Sequence, residues 1–358
     1  MVNNNKNTKI LVAMSGGVDS SVAAKLLIDA GYQVTGVFLK FWHFGDNQTE
    51  NICCSTESFN DAKKICQKLN IPLYTFNFEQ TFKKEVVDNF INEYKNGRTP
   101  SPCVICNQKV KLGLLIKKAR ALGFNYVATG HYAEIKKHGQ KICLWRGADS
   151  EKDQSYFLSR LTLKDLTHLI FPLGHLTKKQ VRALAQKYHL PAAHKKESQE
   201  VCFLGSINLN SFLKNFINIK PGIIKNEKNQ TIGEHLGAPL YTLGQRQGLK
   251  INQPGPFYVY KINAKKNIIS ATNNTQNQFL NTKKMSVKKI NWLSDKSPRL
   301  PLKCLCQIRS RHKPATCVIY KKGATYQIVF SKPQRAITPG QNAVFYQDKK
   351  LLGCGLIK

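Results

Sequence analysis

The apolar run Ile10-Leu11-Val12-Ala13-Met14 leads directly into Ser15-Gly16-Gly17-Val18-Asp19-Ser20, after which Val22, Ala23, Leu26, Leu27 and Ala30 recur at helical spacing. A strand, a two-glycine turn and a helix within so few residues constrain the fold more than any other part of the chain. A helix N-terminus leaves N–H groups without intrahelical partners, and glycines let the backbone approach an anion closely. The hydroxyls of Ser15 and Ser20 add donors. A plain strand-to-helix turn needs only the Gly-Gly pair, whereas all six positions together favour an anion cradle. Further apolar runs at residues 33–38, 73–77 and 126–129 alternate with helix-like stretches at 20–30, 56–69, 82–95 and 108–122. This alternation predicts an α/β fold, a parallel sheet with helices on both faces, which binds ligands beyond the carboxyl ends of its strands. Gly130-His131-Tyr132 follows one such strand end and is expected to share the crevice.

The 15–20 segment has the signature of the pyrophosphate loop in enzymes that split ATP into AMP and pyrophosphate. The Walker pattern Gly-x-x-x-x-Gly-Lys-Ser/Thr is absent. A carboxylate at Asp19 would repel a pyrophosphate unless it held a cation, so a Mg²⁺ bridge is expected. The simpler role for Asp19 is to interact with the helix dipole.

With 358 residues and 42% hydrophobic content, the chain is expected to form two or three packed domains. No run of about 18 apolar residues exists, so no membrane span is predicted. The polar N-terminus lacks a signal-peptide core, which points to the cytoplasm. There are 55 Lys and Arg against 21 Asp and Glu, a net charge of +34. Residues 276–358 hold 17 basic residues and only two acids, Asp295 and Asp348. A general lysine bias would raise the total, but so lopsided a module favours a polyanionic partner bound in a salt-dependent way. The texture changes near residue 206, where Pro and Gly punctuate short runs. Evenly spaced strands near 286–292, 303–309, 315–321, 325–330, 343–347 and 351–357 predict a small β-barrel. The domain reading is therefore 1–205 catalytic, 206–276 mixed α+β, and 277–358 a basic barrel.

Eleven cysteines in such a chain are expected to be reduced and used for catalysis, metal binding or burial. In Gly97-Arg98-Thr99-Pro100-Ser101-Pro102-Cys103-Val104-Ile105-Cys106-Asn107, two prolines stiffen a loop. A helix starting near Asn107 would place Cys106 at its N-terminus and lower the thiol pKa. Zinc needs four ligands, and no second Cys-x-x-Cys exists; the adjacent Cys53 and Cys54 are poor partners for a tetrahedral site. Cys202 lies between apolar residues, where an inert buried thiol is the default.

The order of several segments carries a resemblance. Ala13-Met14-Ser15-Gly16-Gly17-Val18-Asp19-Ser20-Ser21 is followed by Gly97-Arg98-Thr99-Pro100 with Cys106-Asn107, and by Ala128-Thr129-Gly130-His131-Tyr132. Lys152-Asp153-Gln154-Ser155-Tyr156-Phe157-Leu158, Ser198-Gln199-Glu200-Val201-Cys202-Phe203, Tyr241-Thr242-Leu243-Gly244-Gln245-Arg246 and Pro339-Gly340-Gln341 complete the series. From about residue 8 to the end the chain closely resembles the bacterial tRNA-uridine 2-sulfurtransferase family. The resemblance implies an adenine nucleotide alpha hydrolase-like catalytic domain that 2-thiolates the wobble uridine, position 34, of tRNAs for Lys, Glu and Gln. ATP adenylates O2 of the base, and sulfur arriving as a persulfide expels AMP. A cysteine desulfurase or a small sulfur-carrier protein begins the relay. By motif position Cys202 is the persulfide carrier and Cys106 the nucleophile, acting by releasing sulfide or through an intermediate disulfide. ATP contacts are implied for residues 13–20, Leu39 and Gly130. Ser101, Pro102 and Cys103 are implied to meet the flipped base, and His131, Lys152, Asp153, Gln154, Arg309, Ser310 and Gln341 to touch tRNA. Many relatives have Asp at the position of Cys103. Cys103, Cys106 and Cys202 around an open position would also suit an iron–sulfur cluster, with a spare or resolving Cys103 as the alternative.

Two other functions fit parts of the chain. An ATP-pyrophosphatase-type ligase or amidotransferase on a small substrate explains the 15–20 loop but neither the basic module nor the two cysteines. A non-enzymatic RNA-binding protein explains the charge but not the intact loop with Asp19.

Overall fold

The computed structural model describes residues 5–44, 55–139, 141–193, 195, 201–205 and 207–358. Strands β1 (Lys9–Ala13), β2 (Gln33–Lys40), β3 (Leu73–Asn77) and β4 (Tyr126–Ala128) form where the apolar runs predict them. Two further strands, β5 (Ala133–His138) and β6 (Lys141–Arg146), belong to another sheet, and β7 (Leu169–Ile170) completes the first. Its order is β3-β2-β1-β4-β7, parallel throughout. Ile10, Leu11 and Val12 are fully buried, because helices cover both faces and each strand residue faces one core or the other. Ile10, Val12 and Met14 pack with Val22, Leu27, Ile65 and Val181. Leu11 and Ala13 pack with Phe82, Phe90, Val104 and Leu115. The chain runs outward from β1 to β3 and returns on the other side at β4, so β1 and β4 flank the point where strand order reverses. That point is where an open α/β sheet leaves a crevice.

Two expected helices are interrupted. The 82–95 stretch is Glu79–Phe82, a π turn at Lys83–Val87, then Asp88–Lys95. The 108–122 stretch starts earlier, at Pro102–Cys106, and passes through a π turn at Asn107–Lys111 into Gly113–Ala121. Pro102 sits in the first turn, where a missing N–H costs nothing and a φ near −65° is already set. Cys106 is therefore the fifth residue of its helix rather than the first. The helix-N-terminus argument for a lowered Cys106 pKa is corrected accordingly, and Cys103 is the thiol in the first turn.

The middle of the chain folds into a second sheet of β8 (Gly222–Lys225), β9 (Thr231–His235), β10 (Lys250–Ile251), β11 (Tyr258–Asn263) and β12 (Ile268–Thr272), in the order β10-β9-β8-β12-β11. The last six strands are β13 (Asn281–Trp292), β14 (Leu302–Gln307), β15 (Ala315–Lys322), β16 (Thr325–Arg335), β17 (Asn342–Gln347) and β18 (Lys350–Ile357). They run β13-β16-β15-β14-β17-β18, and β18 pairs back to β13, closing a barrel without free edges. The β5–β6 hairpin attaches to β18 through the Lys350–Trp145 pair. Periodicity did not predict this attachment. Beside it, Tyr156 Oη donates to the Asn342 carbonyl at 3.0 Å, Arg160 Nε to Asn342 Oδ1 at 3.0 Å, and Asn291 Nδ2 to the Leu161 carbonyl at 2.9 Å. The barrel is thus hydrogen-bonded to the 156–161 segment of the α/β unit.

Candidate active site

A cavity of about 320 Å³ opens beyond the carboxyl ends of the parallel strands. Ala13 and Met14 line it from the end of β1, Ser15, Asp19 and Ser20 from the 15–20 loop, Leu39 from the end of β2, and Thr129, Gly130 and His131 from the residues after β4. Pro102, Cys103, Cys106 and Asn107 form the facing wall with Val201, Cys202 and Phe203. Residues far apart in sequence, Cys106 and Cys202, therefore open on the same space as the loop. Phe82, Val86 and Lys111 come from the two π turns or their edge; such turns displace side chains that a regular helix would aim elsewhere.

The loop is shaped by its own hydrogen bonds. Gly16 takes φ +71°, and the helix Val18–Asp29 is N-capped by Gly17 with no side-chain cap. The backbone at this end is left to meet an anion. The Ser20 hydroxyl donates to the Gly17 carbonyl at 3.1 Å and accepts from Ser15 N–H at 3.3 Å, so it braces the loop. A Cβ on Gly130 would lie 2.7 Å from the Asp19 carbonyl carbon, so only glycine allows the two segments to approach this closely.

Asp19 already has a cationic partner. Lys178 Nζ donates to its two carboxylate oxygens at 2.8 Å and 2.9 Å, and Tyr132 Oη donates to Oδ1 at 2.7 Å. Lys178 opens the helix Lys178–Lys187, held by a capping box between Thr177 and Gln180. Sequence reasoning missed Lys178. The Thr177-x-x-Gln180 cap was legible as a helix start, but its target lies far away at Asp19.

Among the described residues no three His, Cys, Asp or Glu side chains converge on a metal position. Cys103, Cys106 and Cys202 share a cavity without forming such a set, so the described residues lend the iron–sulfur alternative no support. Among the described residues lining the cavity, Asp19 is the carboxylate that would hold a Mg²⁺ ion, which would offset phosphate charge. Cys53, Cys54 and the Ser198-Gln199-Glu200 segment lie outside the described residues.

The residues expected to touch tRNA fall into different settings. His131 is buried in the cavity wall, shares a 2.7 Å hydrogen bond with Thr129 Oγ1 and packs edge-on against Phe171. Burial, reinforced by the Lys111 ammonium, holds its imidazole well below 6.5 and neutral. Asp153 points inward, its carboxylate accepting from Arg146, Gly147 N–H, Ser155 N–H and the Ser155 hydroxyl. Gln154 pairs reciprocally with the Tyr132 backbone and lines the cavity. Lys152 is half-buried. Arg309 Nη2 donates to the Arg335 carbonyl, and the Ser310 carbonyl accepts from Gln307 Nε2. Gln341 donates to the carbonyls of Thr99 and Pro100. Ser101 is the N-cap residue of the Cys103 helix.

Comparison with known proteins places this geometry. The family model described as tRNA methyl transferase HUP domain matches residues 8–206, tRNA methyl transferase PRC-barrel domain matches 210–272, and Aminomethyltransferase beta-barrel domain matches 282–357. The tRNA-specific 2-thiouridylase MnmA of Geobacillus thermodenitrificans is 38% identical over 98% of this chain and 94% of its own length. The enzymes of the same name from Symbiobacterium thermophilum and Buchnera aphidicola are each 42% identical, over 98% and 99% of this chain and 92% and 97% of theirs. Among solved structures, a 4-thiouridine synthetase–RNA complex with bound ATP aligns over 58% of this chain and 50% of its own, with TM-score 0.35 and 16% identity. A pyrophosphate-type loop and two thiols meet in one cavity, and full-length relatives share the whole three-part chain: the protein belongs to the tRNA-specific 2-thiouridylase family.

Proposed function

We propose that this chain converts the wobble uridine of tRNAs for Lys, Glu and Gln to 2-thiouridine, using ATP and persulfide sulfur. The observation that carries the reading is the single cavity lined by Asp19, Gly130, Cys106 and Cys202. An activated oxygen and its sulfur replacement must meet at one carbon, and this cavity lets them do so. Residues 13–20, Leu39 and Gly130 would hold ATP, and Asp19 would hold a Mg²⁺ ion that offsets the phosphate charge. The uracil O2 attacks the α-phosphorus and pyrophosphate leaves, with N–H groups of the loop supporting the developing charge.

The terminal sulfur of a Cys202 persulfide then attacks C2, and the C2–O bond breaks to release AMP. The Cys106 thiolate attacks the Cys202 sulfur, freeing 2-thiouridine and forming a Cys106–Cys202 disulfide. If Cys106 attacks before transfer, it frees hydrosulfide, which attacks C2 instead. Either route leaves a disulfide that an external thiol must reduce by two electrons. A cysteine desulfurase or a small carrier protein would supply the persulfide. Residues 1–205 would act on ATP and the base, while 206–276 and the basic 277–358 would hold tRNA, in the cytoplasm. Lys152, Asp153, Gln154, His131, Arg309, Ser310 and Gln341 are proposed to lie near bound tRNA, and Ser101, Pro102 and Cys103 near the flipped uridine.

The test is release of AMP and pyrophosphate that depends on both tRNA and a persulfide donor, with 2-thiouridine measured in digested tRNA. Cys106→Ser and Cys202→Ser should each reduce sulfur transfer to background while keeping tRNA affinity. Normal thiolation by either variant removes that residue from the mechanism. Pyrophosphate release with a small carboxylate and no tRNA would instead indicate a ligase.

A further inference from the structure

The segment that carries the thiol helix is gripped by all three parts of the chain. Thr99 N–H donates to the Pro339 carbonyl at 2.9 Å. Gln341 Nε2 donates to the Thr99 carbonyl at 2.9 Å and the Pro100 carbonyl at 3.0 Å. Gly340, between them, approaches so closely that a Cβ would fall 2.8 Å from the Thr99 carbonyl oxygen. From the second sheet's domain, the Thr242 and Thr99 hydroxyls share a hydrogen bond at 3.0 Å. On the remaining side, Arg98 makes two 2.7 Å hydrogen bonds to the Glu93 carboxylate. Both backbone polar groups and the hydroxyl of Thr99 are thus engaged, two of them by the barrel. Three residues later begins the helix that places Cys103 and Cys106 in the cavity wall.

We infer that Gln341 is a positioning residue for the Cys103–Cys106 helix, and that the barrel, through the 339–341 turn and with Thr242 opposing it, fixes where those thiols stand. The inference rests on the proposed role of Cys106. It adds a role to the proposed place of Gln341 near bound tRNA, because both of its described hydrogen bonds go to the thiol-bearing segment. An amide that donates to two adjacent carbonyls sets both the height and the tilt of the Thr99–Ser101 stretch that leads into Pro102. A surface contact with RNA has no such requirement.

The test uses the full-length protein with Gln341→Glu, which keeps the size but replaces the donating amide with a carboxylate facing two carbonyls. Three quantities are read: iodoacetamide alkylation of Cys103 and Cys106 without tRNA, followed by peptide mass spectrometry; tRNA affinity; and single-turnover thiolation. Loss of two hydrogen bonds to part-buried carbonyls should speed alkylation in the absence of tRNA and slow thiolation at saturating tRNA by about tenfold or more, whatever the change in tRNA affinity. Thr242→Val, which releases Thr99 from the opposite side, should shift alkylation in the same direction, and Thr242→Ser should restore it. Weakened tRNA binding with unchanged alkylation overturns the inference and makes Gln341 an RNA contact. Unchanged alkylation in both Gln341→Glu and Thr242→Val overturns it as well. Alkylation is read whether or not the wild type thiolates tRNA, so failure of the positioning role is separable from failure of the proposed reaction.

Discussion

Replacing Lys178 with methionine isolates the charge balance of the nucleotide loop. The Lys178 side chain is 10% exposed and the Asp19 side chain 34%, with nitrogen–oxygen distances of 2.8 Å and 2.9 Å. Removing one partner of a fully buried pair costs about 3–5 kcal/mol, and an exposed pair is worth about 0–1 kcal/mol. A carboxylate one-third exposed falls between, so the coupling is set at about 2 kcal/mol. With methionine at 178 and no Mg²⁺ present, Asp19 turns an uncompensated negative charge toward the polyphosphate. The predicted result is ATP affinity weakened about thirtyfold. The assay is calorimetric titration with ATP in EDTA, without Mg²⁺, of wild type, Lys178→Met, Asp19→Asn and the double variant. The cycle should return about 2 kcal/mol of coupling, with Lys178→Met costing little once Asp19 is neutral. A coupling below about 0.5 kcal/mol would refute the reasoning, because Lys178 would then act independently of Asp19.

Two further outcomes are expected. Gly130→Ala should weaken ATP binding and lower stability by about 1–3 kcal/mol, because the new methyl meets Asp19 backbone atoms that cannot yield; unchanged ATP affinity would show that the loop shifts freely. Stability should rise as pH increases toward about 6.5 and level off above it. Burial holds His131 neutral in the fold and also lowers His235 and His312, while the unfolded chain takes up protons below about pH 6.5. Stability is therefore full above the unfolded pKa and is lost as pH falls below it. His131→Asn should flatten the denaturation-versus-pH slope by at most about 1.4 kcal/mol per pH unit, and an unchanged slope would mean that His131 is not buried neutral.

The strands of the parallel sheet were legible because each is a short apolar run bounded by turn residues, and the barrel because its strands recur evenly. The start of the Cys106 helix was misplaced although Pro102 marks it, because the two prolines were read as loop stiffeners rather than one of them as a first-turn residue. The π turns at Lys83–Val87 and Asn107–Lys111 leave no periodicity signal of their own. The β5–β6 hairpin escaped notice because its edge partner, Lys350, lies two domains later in sequence. Local pattern also gave no reason to bring Cys202 to Cys106; the motif resemblance supplied that, and the shared cavity gives it a place. Lys178 was invisible for the same reason, since a helix cap predicts a helix and not the distant carboxylate its lysine reaches.

The closure of β13 on β18 sets an order of events during synthesis. Domains fold as they emerge, earlier ones first, so the α/β unit can form while much of the barrel is still untranslated. The 339–341 turn hangs on the last strand: Gly340 N–H donates to the Ile357 carbonyl, and Ile357 N–H donates to the Gln341 carbonyl. Until residues 350–357 are made, the turn lacks both of these hydrogen bonds. A nascent chain therefore gains its nucleotide loop early and its fastened thiol helix late, and truncation within β18 would separate the two.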